Sequence, residues 1–164
     1  MAVLRRESNL MEQNQDGPYR PNVAALLMNA WDMLFIAERS GVPGAWQFPQ
    51  GGVDDGEELL EAMFREVREE IGVRRRQLEV LDWRGGYRYR FRLGATRKGC
   101  VGQEQTYYRC RFLGTDGDID LGQKKPEFSN WRWIYPEQFR IEWVPDFKRD
   151  VYRQVFADFF NVNL

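Results

Sequence analysis

The sequence predicts an α+β fold, in which a mixed β-sheet packs against helices. Strand-like apolar segments lie on both sides of one strongly amphipathic helical segment, and a second helical segment follows the last of them. This order favours a mixed-sheet sandwich over a doubly wound fold. A chain of 164 residues has the usual size of a single domain. We therefore expect a flexible arm over residues 1–18 and one domain over residues 19–164.

The first two strands are predicted around a polar tetrad. Residues 23–28 and 33–37 are short apolar runs, which is typical of a hairpin of core strands. Residues 40–56 are rich in glycine and proline and predict a long loop, and loops of this length often carry function. Within this loop we expect Trp46 and Phe48 to belong to the core rather than to contact a ligand.

One strong helix is predicted over residues 56–71. Its apolar positions follow helical spacing and are Leu60, Met63, Phe64, Val67 and Ile71. Asp55 is placed to cap the beginning of this helix, with Glu58 completing a capping box. Gly72 stands where a left-handed residue would end it.

Further strands are predicted over residues 78–83, 86–93, 106–113 and 131–134. In the second of these the aromatic residues Tyr87, Tyr89 and Phe91 alternate with arginines, so the two sets should lie on opposite faces. A final helix is predicted over residues 146–160, with Phe147, Val151, Val155 and Phe159 on one face.

Composition excludes several classes of function. The chain has no histidine, which removes histidine-based triads, general bases and the usual zinc sites. Its two cysteines lack the spacing of a metal site and indicate reduced thiols in a cytoplasmic protein. A net charge of −1 does not favour binding to DNA. The longest apolar run, residues 23–28, is too short to span a membrane. As a separate expectation, we favour a monomer.

Three carboxylates share one arc of the predicted helix, beside its apolar face. Glu66, Glu69 and Glu70 stand at i, i+3 and i+4, where like charges destabilise a helix. A hard divalent cation between them would remove this repulsion, whereas a solvated acidic face is the alternative. We expect Arg65 and Arg68 on the far side of the helix, where they would leave the acidic arc free.

Residues 51–73 resemble the signature of the Nudix hydrolases: Gly, five residues, Glu, seven residues, Arg-Glu, an apolar residue, any residue, Glu-Glu, any residue, Gly and an apolar residue. Every fixed position is present, as Gly51, Glu57, Arg65, Glu66, Val67, Glu69, Glu70, Gly72 and Val73. The resemblance implies an α/β/α sandwich with a mixed β-sheet between helices. It also implies hydrolysis of phosphoanhydride bonds with Mg²⁺ or Mn²⁺ as cofactor.

The same resemblance implies roles for individual side chains. Glu66, Glu69 and Glu70 would hold the metal, and one of them, or a carboxylate outside the signature, would act as the base toward water. Arg65 and Glu57 would orient the metal-binding carboxylates.

The flanking segments narrow the resemblance to one branch of the family. They are residues 19–23, 45–52, 102–103, 126–133 and 147–153, and they look like the bacterial RNA 5′-pyrophosphohydrolases and the plant-type asymmetric dinucleoside tetraphosphate hydrolases. By this resemblance Glu127 is a further metal ligand or base. The implied substrate contacts are Arg20, Arg39, Tyr89, Gln103, Phe147 and Lys148. Phe147 would stack on a base, although it also fits the apolar face of the last helix.

The substrate is left open between two reactions. One hypothesis is conversion of 5′-triphosphate or 5′-diphosphate RNA ends to 5′-monophosphate, and the other is asymmetric hydrolysis of diadenosine tetra- or pentaphosphate. A non-catalytic nucleotide-binding module is a third possibility. An RNA substrate calls for a basic track, which the arginines at 88, 90 and 92 or the run 74–76 would supply. Residues 87–102 match neither branch and are expected to border the substrate opening.

Overall fold

Seven strands and two helices form the part of the chain that the computed structural model describes, residues 17–92, 95–122 and 125–164. Most of the predicted arm, and Leu93 of the second predicted strand group, lie outside these residues. The elements are β1 (Tyr19–Met28), β2 (Leu34–Arg39), β3 (Trp46–Gln47), β4 (Gln50–Gly52), α1 (Leu59–Ile71), β5 (Leu78–Arg90), β6 (Gly102–Phe112), β7 (Phe128–Ile134) and α2 (Arg149–Phe160). No helix in these three ranges has the length and apolar character needed to cross a membrane.

The strands form one mixed sheet, as predicted. Its order is β3-β2-β1-β6-β5, with β4 paired to β1 and β7 paired to β2. The central pair, β1 and β6, is parallel over the whole length of β1, and the other pairs are antiparallel. β1 and β2 pair at Met28 and Leu34 beside their turn. The start of β1 then pairs with β4, and β2 pairs with β7.

Both faces of the sheet are buried, which explains the uninterrupted apolar run in β1. Val23, Ala25 and Leu27 pack with the apolar side of α1. Ala24 and Leu26 point the other way, into a second cluster with α2. The predicted α/β/α sandwich is therefore confirmed.

The aromatic core on the α2 side contains the two residues predicted for it. Trp46 and Phe48 are buried. The ring of Phe48 stacks on that of Tyr152 with centroids 5.3 Å apart. The predicted loop over residues 40–56 contains two short strands, because β3 pairs with β2 and β4 pairs with β1.

The helix α1 begins later than predicted. It starts at Leu59, with Glu58 at the cap position making no side-chain hydrogen bond, so the proposed Asp55 cap is wrong. The chain instead turns between Asp54 and Glu57, where the Glu57 backbone N–H donates to the Asp54 carbonyl. The predicted end is confirmed. Gly72 has a φ of 72° and its N–H donates to the Arg68 carbonyl.

The two strands predicted at 78–83 and 86–93 form the single strand β5. Its pairing with β6 shifts register twice, between Val80 and Asp82 and between Arg84 and Tyr87. The predicted alternation is confirmed beyond the second shift, because Tyr87 and Tyr89 are buried while Arg88 is exposed. This alternation turns Tyr89 toward the face of the sheet that α2 covers.

Candidate active site

The carboxylates of α1 lie against β4, whose two glycines have no side chains to keep them away. A Cβ added to Gly51 would overlap the Glu66 carboxylate, and one added to Gly52 would overlap the Arg20 guanidinium. Both glycines belong to β4, whose backbone is therefore in direct contact with one acidic and one basic site residue. The first signature glycine thus has a steric reason: it lets α1 approach the sheet edge.

Arg65 corrects one expectation from the sequence. It does not lie on the far side of α1. Its Nε and Nη2 donate to the two oxygens of Glu57 at 2.8 and 2.9 Å, and its Nη1 donates to Glu66 Oε1 at 2.8 Å and to Glu69 Oε2 at 3.3 Å. Arg65 and Glu69 are i, i+4 neighbours, and such side chains meet on one face. Arg68 is exposed and lines a surface depression that none of the three carboxylates lines.

This arrangement fixes the carboxylates that flank Arg65. The hydrogen bond from Arg65 lowers the pKa of Glu57 to about 2, so Glu57 stays ionised as the anchor of the guanidinium. A further hydrogen bond from Nη2 to the Gly52 carbonyl, 2.9 Å long, ties Arg65 to β4. Arg65 is thus held by its neighbours on several sides and in turn positions Glu66.

Glu70 carries the strongest electrostatic strain of the site. It is 9% exposed, and its Oε1 accepts a hydrogen bond from the Gln50 backbone N–H at 3.3 Å. Its Oε2 is buried with no hydrogen-bond partner among the residues described. Burial, and then the charge of Glu66, raise the pKa of Glu70 above neutrality. Glu66 and Glu70 lie close enough to repel each other when both are ionised. Both can therefore carry a negative charge only if a cation is bound beside them.

These observations fit a divalent cation. A buried carboxylate oxygen without a partner, beside a second half-buried carboxylate and near Glu127, is a donor set of the hard oxygen type. The carboxylate side chains are not, however, arranged around a common point where an ion could bind. Within the described ranges no three acidic or cysteine side chains form a ready metal-binding group. Arg65 takes one oxygen each of Glu66 and Glu69. Ion binding therefore requires these side chains to shift.

A cavity of about 290 Å³ lies beside β4. All six predicted substrate contacts line it, together with Glu127. Those contacts are Arg20, Arg39, Tyr89, Gln103, Phe147 and Lys148. They come from β1, β2, β5, β6 and the short 3₁₀ turn Asp146–Lys148, so the fold gathers residues that are far apart in sequence.

Lys148 is a half-buried cation of this cavity that lies beside two aromatic rings. Its Nζ lies 5.2 Å from the ring centroid of Tyr89 and 5.9 Å from that of Phe147. Burial, and then the charges of Arg39 and Arg97, lower the pKa of Lys148 to about 8. The nearby Glu127 acts in the opposite direction. Lys148 is therefore an ammonium group at neutral pH that lacks a full counter-charge.

Tyr89 and Phe147 form an aromatic wall of the cavity. Their ring centroids are 5.7 Å apart, and the Tyr89 hydroxyl donates to the side-chain carbonyl of Gln103. Phe147 is half-buried, packs against the α2-side core and also lines the cavity. The final helix begins at Arg149, three residues later than predicted, so Phe147 lies in the turn before it, and stacking of Phe147 on a base stays a prediction.

Sequence reasoning missed several polar residues of the site. Asn22, Gln47, Gln50 and Arg97 also line the cavity. Beneath them Gln105, 1% exposed, donates to Asn22 Oδ1 at 2.8 Å and to Gln50 Oε1 at 2.9 Å, and accepts from the Tyr107 hydroxyl at 2.8 Å. These polar residues all lie outside the strands predicted from the sequence, so local periodicity carried no signal for them.

The arginines suggested as a basic track lie elsewhere. Arg88 pairs with Glu104 and covers the ring of Tyr19. The run 74–76 lines a separate surface depression with Arg68, Asp118 and Asp120, and this depression shares no lining residue with the cavity. The cations that do line the cavity are Arg20, Arg39, Arg97 and Lys148.

The fold and this site define a family. The NUDIX domain model matches residues 18–155, and the chain belongs to the Nudix family. The RNA pyrophosphohydrolase of Shewanella denitrificans is 40% identical over 155 residues, which cover 89% of this chain and 87% of that protein. The RNA pyrophosphohydrolase of Rhodospirillum rubrum is 43% identical over 146 residues, covering 86% and 87%.

A solved structure supports the fold independently. The Ap4A hydrolase of C. elegans, crystallised as a binary complex, superposes with a TM-score of 0.60 and covers 84% of this chain and 96% of that chain. At 20% sequence identity, this similarity concerns the fold alone.

Proposed function

We propose that this protein is a divalent-metal-dependent RNA 5′-pyrophosphohydrolase. Water is added across a phosphoanhydride bond of the RNA 5′ end. A triphosphate end then yields a 5′-monophosphate and pyrophosphate, and a diphosphate end yields a 5′-monophosphate and phosphate. The names of the two bacterial relatives, at 40% and 43% identity over most of the chain, support this choice.

The cavity beside the carboxylates carries the proposal. It brings four cations and an aromatic wall next to the acidic end of α1, so anionic phosphates and a base have complementary surfaces side by side. Among the described residues none of these cations forms an ion pair with a carboxylate. Three of these cations are half-buried and Arg97 is exposed, and cations without a carboxylate partner favour binding of an anion.

The roles of the side chains follow from their positions. Glu66, Glu69, Glu70 and Glu127 would hold Mg²⁺ or Mn²⁺, which when bound neutralises phosphate charge and makes water more acidic. Arg65, anchored by Glu57, positions Glu66 and Glu69. Arg20, Arg39 and Lys148 would hold the phosphate chain.

Phe147 offers an aromatic face, and every nucleobase can stack on such a face. Glu127 lies near enough to Glu70 and Lys148 to affect the pKa of both, and it is the candidate base outside the helix.

A competition assay tests the substrate directly. Triphosphorylated RNA and diadenosine tetraphosphate are supplied at equal concentration with Mg²⁺, and products are separated by chromatography. We expect pyrophosphate and 5′-monophosphate RNA to dominate. If kcat/KM for the dinucleotide is tenfold higher, the protein is an asymmetric dinucleoside polyphosphate hydrolase instead. If neither is hydrolysed but both bind, it is a nucleotide-binding module.

A further inference from the structure

The connection between β5 and β6 ends in a tight two-residue turn. Arg97 and Cys100 exchange both backbone hydrogen bonds, at 3.1 and 2.9 Å. Lys98 and Gly99 between them have φ values of 50° and 75°. Two successive positive φ values are typical of a type I′ turn, which fixes the direction of the flanking residues. The side chain of Arg97 is therefore carried on a defined turn.

This turn separates two depressions on the surface. Arg97 lines the cavity that contains Lys148 and Tyr89. Lys98 and Cys100 line the neighbouring depression, beside Asp54 and Asp55. Arg97 thus lines a cavity with three other cations, whereas Lys98 lines a depression with three carboxylates and with Arg20, which borders both.

The charge of Arg97 affects the pKa of two residues of the cavity. It lowers the pKa of Lys148 and opposes the rise in the pKa of Tyr89 that burial causes. Both residues are candidate contacts for the phosphate chain. Within the described ranges Arg97 forms no ion pair with a carboxylate. An anion bound in the cavity would attract each of these cations and so offset the repulsion between them.

We propose that Arg97 is a specificity-determining contact for the phosphate chain of the substrate. Its planar fork of donors suits a phosphate group better than a lysine does. Because Arg97 adds charge to a cavity that already holds three other cations, it favours substrates with more phosphates. Removing its charge should therefore weaken binding of a triphosphate end more than binding of a diphosphate end. This inference rests on the proposed function.

Two variants of the same turn form a matched test. Arg97→Gln removes the charge that faces the cavity, and Lys98→Asn removes a charge that faces the other depression. Asparagine tolerates the positive φ at position 98. Steady-state kinetics are measured for triphosphate and diphosphate RNA ends at several salt concentrations. Thermal unfolding checks that both variants fold.

We expect Arg97→Gln to lower kcat/KM for triphosphate ends about tenfold, mainly through KM. The ratio of kcat/KM for triphosphate ends to kcat/KM for diphosphate ends should fall. The salt dependence, as log kcat/KM against log salt, should be less steep by roughly 0.7. Arg97→Lys should lie between wild type and Arg97→Gln, and Lys98→Asn should behave like wild type.

Equal kinetics for Arg97→Gln and Lys98→Asn would overturn the proposal, as would a loss confined to kcat. Calorimetric binding of inorganic triphosphate provides a readout that does not depend on turnover, and Arg97→Gln should weaken it. If the wild type binds inorganic triphosphate through Arg97 but hydrolyses no RNA end, the proposed function fails while the phosphate contact stands.

Discussion

Gly51→Ala tests whether the closeness of β4 to α1 is needed for turnover. The added methyl group would overlap the Glu66 carboxylate, although the backbone at Gly51 does not need a positive φ. The helix, its caps and the core contacts of β4 are untouched. The variant therefore changes the position of one carboxylate and little else.

The size of the effect follows from the geometry. To regain an ordinary contact of 3.4 Å, the Glu66 carboxylate must move by about 1 Å or more. A misplacement of 1 Å at a reacting centre can cost roughly a hundredfold in rate, so we expect kcat to fall by about that factor. Alanine is favoured over glycine in a strand by about 0.5–1 kcal/mol, which offsets part of the overlap. The melting temperature should therefore change little.

Gly52→Ala is the matched control. Its methyl group meets the end of the Arg20 side chain, which is flexible and belongs to the substrate cavity. This variant should raise KM and leave kcat close to wild type. Initial rates with triphosphorylated RNA and Mg²⁺ separate the two parameters. If Gly51→Ala keeps kcat within twofold of wild type while remaining folded, the position of Glu66 does not limit turnover and the reasoning fails.

Three other predictions concern pH, the buried polar network and the metal. Because the pKa of Lys148 is lowered from 10.5 to about 8, kcat/KM should fall above pH 8, and Lys148→Arg should move that fall to higher pH; an unchanged profile would contradict this role. The same shift makes the free energy of unfolding rise between pH 8 and 10.5, since only the unfolded chain keeps the proton there. Gln105→Leu leaves the buried Asn22, Gln50 and Tyr107 groups without a partner and should lower the free energy of unfolding by about 3 kcal/mol in urea titrations, whereas a loss below about 0.5 kcal/mol would show that the network relaxes. EDTA should abolish hydrolysis and Mg²⁺ or Mn²⁺ should restore it, so full activity in chelator would refute metal dependence.

Periodicity predicted most of the fold. The apolar spacing of α1, the two-sided burial of β1 and the alternation of Tyr87 and Tyr89 each follow from local sequence. The start of α1 was misplaced because the turn at Asp54–Glu57 resembles a capping sequence, whereas Glu57 is used to hold Arg65. Such a long-range use of a side chain leaves no local signal.

Only part of the candidate site could be predicted, for a similar reason. Residues such as Glu127 and Lys148 were named from a family resemblance, because nothing in their local sequence places them beside α1. The network around Gln105 and the position of Arg97 at the cavity depend on strand pairing and on one tight turn. Those features require the register of β6 with β1 and β5, which the sequence alone did not provide.

A divalent cation is what allows Glu70 to ionise in its buried position beside Glu66. Calorimetric titration of Mn²⁺ into the wild type and into Glu70→Gln tests this most directly, because glutamine keeps the shape of the side chain and removes its charge. We predict saturable binding to the wild type and binding weaker by about a hundredfold or more in the variant, since a direct ligand should matter at least as much as an outer-shell partner, together with a loss of turnover by orders of magnitude. Equal Mn²⁺ affinity in the two proteins would contradict the account.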